Sequence, residues 1–204
     1  MIDRSLLITD PKRLIGYQVA ESKQGVYAWV YYTHDKNVML KHAPDSSDGW
    51  IMWALYSIFM NARWMPKIHQ MVFDVYDEED MSVWALMERL YVPKGENAYY
   101  MRESKTGKIK VDPWFLDEPR SYDNHLSHYV RQKMYETEED YYSRFGLKPI
   151  FDLHHTNWMI RKGKTQQHVI TDPWASHDLS LDVLMQFARE MAVHTDRVHI
   201  KYRL

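Results

Sequence analysis

The alternation of hydrophobic and polar positions in the first half of the chain predicts a β-sheet with one helix. Residues 14–20, 26–33 and 38–43 are rich in β-branched and aromatic side chains and are separated by polar turns, which is typical of consecutive strands. Residues 67–92 repeat this pattern as a hairpin with an acidic turn. Residues 48–63 carry large apolar side chains around most of their helical circumference, so they predict a well-buried helix.

The second half of the chain predicts two helices and a closing strand. Residues 121–146 carry apolar side chains at helical spacing and end at a glycine, which favours a helix terminus. A further helix is predicted over residues 181–193, with Asp178 or Ser180 as its N-cap. Residues 198–204 are expected to form a short strand or a tail whose basic side chains are solvated.

Composition and charge narrow the class of protein. The 204 residues suffice for one domain, or for two small lobes that share a cleft. No apolar run approaches the roughly 18 residues of a membrane span, and the first residues lack the apolar core of a signal peptide. The lack of cysteine excludes disulfides and thiolate chemistry and fits a reducing cytosol. With a formal net charge of −2, no direct nucleic-acid binding is expected.

The stretch 150–174 contains the residues with the clearest chemical pattern. Two β-like runs flank a polar turn, so the stretch predicts a hairpin. Asp152 and Asn157 precede the first run, and Asp172 ends the second. Because a hairpin brings its two ends together, these three side chains are expected to converge on one point.

Phosphoryl transfer from a nucleotide requires this set of groups. One carboxylate orients the acceptor hydroxyl and takes its proton, while an amide oxygen and a second carboxylate hold Mg²⁺ against the phosphates. Protein kinases arrange them as Asp-x-x-x-x-Asn followed by Asp-Phe-Gly. Asp152 and Asn157 match the first spacing, and the second acid is Asp172 in Asp-Pro-Trp. The alternative is a chance pairing of an Asp and an Asn five residues apart.

The order of the elements, together with this motif, resembles the protein kinase fold. Three strands, a helix, two strands and a linker precede the motif, and Lys41 lies in the third strand. The run FDLHHTNWM…VITDPW is more narrowly similar to that of the early-expressed Ser/Thr protein kinases of short-tailed, autographivirus-type bacteriophages.

This resemblance implies an α+β, minimal two-lobed protein kinase-like fold, with an antiparallel-sheet N-lobe and a short, mainly helical C-lobe. Residues 1–92 would form an N-lobe of five strands and one helix. Residues 93–204 would form a truncated C-lobe, with a catalytic loop at 151–158 and a metal-binding Asp-Pro-Trp at 172–174.

The resemblance also implies roles for individual side chains. Asp152 would be the catalytic base, Asn157 and Asp172 the Mg²⁺ ligands, and Lys41 the contact to the α and β phosphates of ATP. ATP and Mg²⁺ are therefore the expected cofactors.

Two backbone segments are implied to contact the nucleotide as well. The turn at residues 21–25 would cover the phosphates, with Gly25 allowing close backbone approach. The linker after the fifth strand would hydrogen-bond the adenine edge through the backbone of Glu88 and Leu90.

The resemblance to the early phage kinases also implies which proteins this chain would act on. Members of that family are made early in infection and phosphorylate host proteins, including transcription and RNA-processing machinery. Host bacterial proteins are the expected substrates, the host bacterial cytoplasm is the expected location, and no membrane association is expected. Autophosphorylation is an open alternative, and the sequence does not determine the oligomeric state.

Departures from the kinase pattern favour a different function. In protein kinases the helix after the third strand carries a glutamate that pairs with the strand lysine, but no acid lies between Trp50 and Trp64, so Asp45 or Asp48 would have to replace it. This departure, the single loop glycine and the short stretch after Asp172 favour a pseudokinase that inhibits a host protein by binding it.

Two histidines beside the motif suggest further alternatives. His154 occupies the position of the histidine in the Asp-Leu-His-x-x-Asn run of small-molecule phosphotransferases, which are a second alternative. His154 and His155 together also suggest a transition-metal site. That site is disfavoured, because neighbouring loop residues rarely both reach one ion and no His-x-x-x-His helix accompanies them.

Overall fold

The computed structural model of the chain describes residues 5–18, 28–77, 80–91, 125–151, 157–161, 167–176 and 179–203. Within these ranges the protein is α+β, with a six-stranded mixed sheet, two small two-stranded sheets and four α-helices. None of the described helices combines the length and the apolar character needed to cross a membrane.

The helices are α1 Ser5–Thr9, α2 Gly49–Met60, α3 His125–Phe145 and α4 Leu181–His194, with a 3-10 turn at Pro11–Leu14. The strands are β1 Ile15–Gln18, β2 Trp29–Thr33, β3 Val38–Ala43, β4 Ile68–Val75, β5 Met81–Glu88, β6 Ile150–Phe151, β7 Trp158–Arg161, β8 Gln167–Ile170, β9 Trp174–Ser176 and β10 Val198–Tyr202. The two small sheets pair β6 with β9 and β7 with β8. The hydrophobic pattern therefore predicted most of these elements as the helices and strands that they are. It did not predict the N-terminal helical segment or the short β6–β9 pair, and it left β10 open between a strand and a tail.

The main sheet has the strand order β1-β2-β3-β5-β4-β10. Its first five strands are antiparallel to their neighbours, as the pattern predicted. The sixth, β10, is parallel to β4, with Val198 opposite Met71. The C-terminal end of the chain thus extends the sheet formed by the N-terminal half.

The expected solvation of the basic tail holds for Arg203, whose side chain is 45% exposed, but Lys201 and Arg203 also have partners within the protein. Lys201 Nζ donates a hydrogen bond to the Ile8 carbonyl at 3.2 Å. The Arg203 guanidinium lies 2.9 Å from a carboxylate oxygen of Asp74, whose side chain is buried within the sheet. A buried carboxylate requires such a partner, because an unpaired charge away from water is costly.

The sheet separates two hydrophobic clusters. Side chains of adjacent strand residues point to opposite faces, so Val83, Ala85 and Met87 of β5 pack with α2 while Trp84 and Leu86 pack with α1. The same alternation along β3 places Leu40 on the α1 face. Lys41 therefore faces α2, where it is almost completely buried.

Helix α2 is buried along nearly its whole length, since ten of its twelve residues are shielded from solvent. Asp48 caps its N-terminus by accepting a hydrogen bond from the Trp50 N–H at 2.9 Å. Asn61 ends the helix in the left-handed region, with φ of 46°. Asparagine tolerates this conformation better than most residues, which explains a sharp stop without glycine.

An aromatic cluster joins α2 to the C-terminal half. Trp53 and Tyr56 of α2 contact Trp174 edge-on, with ring centroids 5.1 Å and 5.6 Å away, and Tyr141 and Phe187 complete the cluster from α3 and α4. Helix α4 begins after Ser180, whose hydroxyl accepts from the Val183 N–H. The other predicted cap, residue 178, lies outside the described residues.

Replacing Trp53 with alanine should cost about 3–5 kcal/mol of unfolding free energy, because its ring is fully buried and packs against the rings of Trp64 and Trp174. Urea unfolding followed by circular dichroism measures this change. Trp29→Ala is the matched control, since Trp29 is 44% exposed, and its cost should stay below about 1 kcal/mol. Equal costs for the two variants would contradict the proposed packing of α2.

His42 should make stability fall in mildly acidic solution. Burial against Trp84, reinforced by Lys12 and partly offset by Asp74, lowers the pKa of His42 to about 4 from its ordinary 6.5. Between these two values the unfolded chain takes up a proton that the folded protein does not, so stability is highest above 6.5 and declines towards pH 4.

Urea unfolding at pH 7 and pH 5 tests this linkage. The wild type should lose more stability between these two pH values than His42→Phe, which keeps an aromatic ring on Trp84 but cannot titrate. His34→Gln, at an exposed turn position, is the control and should behave like the wild type. Identical losses in His42→Phe and the wild type would refute the role of His42.

Candidate functional site

Lys41 and Asp172 form an ion pair between the main sheet and the hairpin β7–β8. Lys41 Nζ lies 2.7 Å from Asp172 Oδ2, and the two side chains are only 10% and 29% exposed. Lys41 comes from β3, and Asp172 lies two residues after the end of β8. Because the pair is largely shielded from water, its attraction is stronger than that of a surface pair. The partial exposure of Asp172 leaves it accessible to a small ligand.

Trp50 covers the lysine from the side of α2. Its ring centroid lies 4.3 Å from Lys41 Nζ, within the range of a cation–π contact. Neither acid suggested by the sequence is paired with Lys41: Asp48 caps α2, and Asp45 accepts from the Ser47 N–H at 2.8 Å. The contacts of Lys41 are therefore with Asp172 and Trp50, instead of with the helix carboxylate that the kinase pattern led us to expect. The sequence contained no signal for Trp50, because its ring is one of many apolar side chains on α2.

The two ends of the hairpin meet beside this pair. The Thr171 N–H donates to the Asn157 carbonyl at 2.8 Å, and the Thr171 hydroxyl donates to the same oxygen at 3.1 Å. Asn157 is 8% exposed, and Asp172 follows Thr171 directly. The hairpin therefore brings the Asn157 and Asp172 segments together, as its sequence predicted.

Several of the predicted positions lie outside the described residues. They are the proposed base Asp152, the loop histidines His154 and His155, and the loop glycine Gly25. Their roles stay predictions from the sequence.

Helix α2 and the segment that follows it form hydrogen bonds with the hairpin β7–β8. The Trp53 indole N–H donates to the Ile170 carbonyl at 3.1 Å, and the Ile170 N–H donates to the Trp64 carbonyl at 2.9 Å. Reciprocal backbone hydrogen bonds between Tyr91 and Ile160, of 3.0 Å and 2.8 Å, attach the hairpin to the segment after β5. The position of Asp172 relative to Lys41 is thus set by backbone contacts on both strands of the hairpin.

Glu88 makes a buried ion pair with Arg161 at the end of the hairpin. Arg161 Nε lies 2.7 Å from Glu88 Oε2, and Arg161 Nη2 contacts the other carboxylate oxygen. The ion pair is therefore bidentate. The Lys67 N–H also donates to this carboxylate at 2.8 Å. The sequence assigned the backbone of Glu88 to adenine binding, and the structure gives its side chain this separate structural partner.

Arg161 also joins the hairpin to the segment after α2. Its guanidinium donates to the carbonyls of Arg63 at 2.6 Å and Met65 at 2.9 Å. One side chain therefore connects three parts of the chain: the hairpin, the end of β5 and residues 63–65. Sequence reasoning missed Arg161, because nothing in its neighbourhood distinguishes it from a polar turn residue.

Among the described residues, one backbone donor of the linker after β5 has no hydrogen-bond partner. The N–H groups of Glu88, Arg89 and Tyr91 donate to the carbonyls of Lys67, Asn37 and Ile160, respectively. Within the described part of the chain, no hydrogen bond to the N–H of Leu90 is found. Leu90 thus retains the donor that its predicted contact with an adenine edge requires.

The donor chemistry of the site suits a hard cation. Asn157 and Asp172 both carry oxygen donors, which are the ligands that Mg²⁺ prefers. Among the described residues, no group of three or more His, Cys, Asp or Glu side chains is placed to hold a metal ion. The two loop histidines that suggested a transition-metal centre lie outside the described residues. No protein-family model, no curated protein and no solved structure significantly matches the chain.

Arg161→Met should cost about 3–5 kcal/mol of unfolding free energy, because it leaves the buried Glu88 carboxylate without its cationic partner. The double variant Glu88→Leu/Arg161→Met removes both charges and should lose less than the sum of the two single losses. Urea unfolding of all four proteins measures this coupling.

The exposed i,i+4 pair of Arg144 with Asp140 on α3 is the matched control, and breaking it should cost about 0.5 kcal/mol or less. Additive losses for Glu88 and Arg161 would show that the pair does not join the hairpin to the sheet.

Proposed function

We propose that this chain is an ATP-dependent phosphotransferase with a protein kinase-like arrangement, specifically a phage-type Ser/Thr protein kinase. The observation that carries the proposal is the contact of Lys41 with Asp172 beside the backbone of Asn157. It joins a cation for phosphates to one carboxylate, and the backbone of the second proposed Mg²⁺ ligand, Asn157, lies beside it. These elements follow one another in the order expected of a kinase. The order of β1 to β5, with α2 between β3 and β4, supports the same assignment.

The proposal assigns a chemical task to each candidate site residue within the described part of the chain. Lys41 exchanges Asp172 for the α and β phosphate oxygens when ATP binds. Asp172 and Asn157 hold Mg²⁺, which neutralises phosphate charge during transfer. The Leu90 N–H donates to the adenine edge. The buried position of Lys41 strengthens its attraction to phosphate, because little water competes for the ammonium group.

The transfer itself requires a base near the acceptor hydroxyl. The hydroxyl oxygen of a serine or threonine bonds to the γ phosphorus as the bond from that phosphorus to ADP breaks, and Asp152 takes the hydroxyl proton. The assignment of Asp152 depends on its spacing from Asn157 in the sequence.

Host bacterial proteins are the proposed acceptors, with transcription and RNA-processing machinery as the first class to examine. The host bacterial cytoplasm is the proposed location. Both assignments follow from the resemblance of the motif around Asp152 and Asp172 to early phage kinases.

A pseudokinase is the second candidate, and one contact favours it. Lys41 is bound directly to Asp172 and covered by Trp50, so the two groups needed for a nucleotide satisfy each other. A protein that only binds a host partner could keep this pair as a permanent structural contact. An active enzyme must open it for every nucleotide.

Asp152→Asn should reduce phosphate transfer on the order of 10²–10⁴-fold while retaining nucleotide binding, because only the base is lost. Asp172→Asn should abolish transfer and also weaken Mg²⁺-dependent nucleotide binding, since a charged metal ligand is lost. The asparagine still offers Lys41 an oxygen acceptor, which favours retention of the fold. Incorporation of label from γ-labelled ATP and calorimetry with and without Mg²⁺ provide the two readouts.

Asp45→Asn is the matched control, because Asp45 is an exposed acid near the same strand and only accepts from a turn N–H. It should behave like the wild type. The assay is run with and without a bacterial lysate, so that labelled host proteins identify the acceptors. Near wild-type transfer by both site variants would overturn the assignment. ATP binding without transfer to any protein would favour a small-molecule acceptor, and no ATP binding would favour the pseudokinase.

A further inference from the structure

A polar cleft of about 430 Å³ lies beyond the C-terminal end of α2. Its walls come from the last turn of the helix, the segment 61–67, the start of β4 and Arg197 just before β10. It is separate from the Lys41–Asp172 pair, because neither of those residues lines it.

The cleft concentrates positive charge. Arg63, Lys67 and Arg197 line it together with His69 and Asn61, and no Asp or Glu is among the described residues that line it. The chain as a whole has a formal net charge of −2, so this concentration is a local feature.

Few partners for these three cations are found in the part of the chain that the structure describes. Within the described part of the chain, no carboxylate is paired with Arg63, Lys67 or Arg197. Arg197 uses its Nε group on the Thr195 hydroxyl at 3.3 Å, which leaves its two terminal amino groups as donors. The guanidinium of Arg63 and the ammonium of Lys67 belong to exposed residues.

The helix terminus alone does not account for this charge. The C-terminal end of a helix carries about half a negative charge, which attracts basic side chains. Three full positive charges exceed that half charge several-fold. An anion bound between them would balance the excess charge.

We infer that this cleft binds a phosphate dianion, either free or carried as a monoester. Arginine guanidinium groups present paired N–H donors that match phosphate oxygens, and two arginines with one lysine supply more charge than a single carboxylate needs. The volume accommodates a phosphate group together with the residue that carries it. Free inorganic phosphate and a phosphorylated protein side chain share this chemistry, and the experiment below separates them.

The wall of the cleft is directly connected to the Glu88–Arg161 pair. Arg161 donates to the Arg63 carbonyl, and the Lys67 N–H donates to the Glu88 carboxylate. An occupied cleft should therefore protect the backbone of β7 from hydrogen exchange. The binding inference itself does not depend on the proposed kinase activity.

The test titrates the intact chain with three probes: inorganic phosphate, blocked O-phosphoserine and blocked serine. Chemical shifts of the backbone amides of residues 61–69 report binding at this cleft. Arg63→Gln and Lys67→Gln should each weaken phosphate binding about tenfold, as expected for the loss of one charge-assisted hydrogen bond. Raising the salt concentration should weaken it further. Lys36→Gln, an exposed lysine on the β2–β3 turn, is the matched control and should bind like the wild type.

The outcomes divide clearly. Equal affinity for inorganic phosphate and phosphoserine identifies a free-anion site, whereas tighter binding of phosphoserine identifies a site for a phosphorylated side chain. Both support the inference. It is overturned if neither phosphate probe shifts these amides, if blocked serine binds equally well, or if Lys36→Gln weakens binding as much as the cleft variants. Unfolding midpoints of the variants confirm that each is folded.

Discussion

The burial of helix α2 is the constraint on which the rest of the structure depends. A helix covered along nearly its whole length cannot carry an unpaired carboxylate, because an ionised group away from water costs several kcal/mol. Lys41 nevertheless faces this helix from the sheet. Its counter-charge has to come from elsewhere, and Asp172 supplies it from a position 131 residues later in the chain. The counter-charge comes from the hairpin because α2, which covers Lys41, contains no Asp or Glu.

The same helix explains why the hairpin that carries Asp172 occupies a defined position. Trp53 reaches out of α2 to the backbone of β8, and the segment after α2 accepts hydrogen bonds from Arg161 of β7. Both strands of the hairpin are thus attached to one helix and its continuation. These contacts hold Asp172 at its observed position beside Lys41.

Charge is distributed unevenly around the segment that follows α2. On one side, Glu88 and Arg161 neutralise each other in a buried pair. On the other side, Arg63, Lys67 and Arg197 line a cleft without carboxylates. Because the two sides share the backbone of residues 63–67, a bound anion and the position of the hairpin are physically connected. A chain with a small net negative charge can therefore present a strongly basic local surface.

The local elements could be predicted from the sequence, and the partners of the charged residues could not. Strand β3 was predicted at its observed bounds, and the hairpin of β7 and β8 was predicted as two strands around a polar turn, because alternation, turn residues and caps act over a few neighbouring positions. The spacing of Asn157 and Asp172 around a hairpin also predicted that their segments meet. The tertiary structure alone decided that Asp172 pairs with Lys41, that Arg161 pairs with Glu88 and that β10 joins the sheet beside β4. Each of these contacts joins residues far apart in the chain, and which distant charge satisfies a buried one is settled only when the elements pack together.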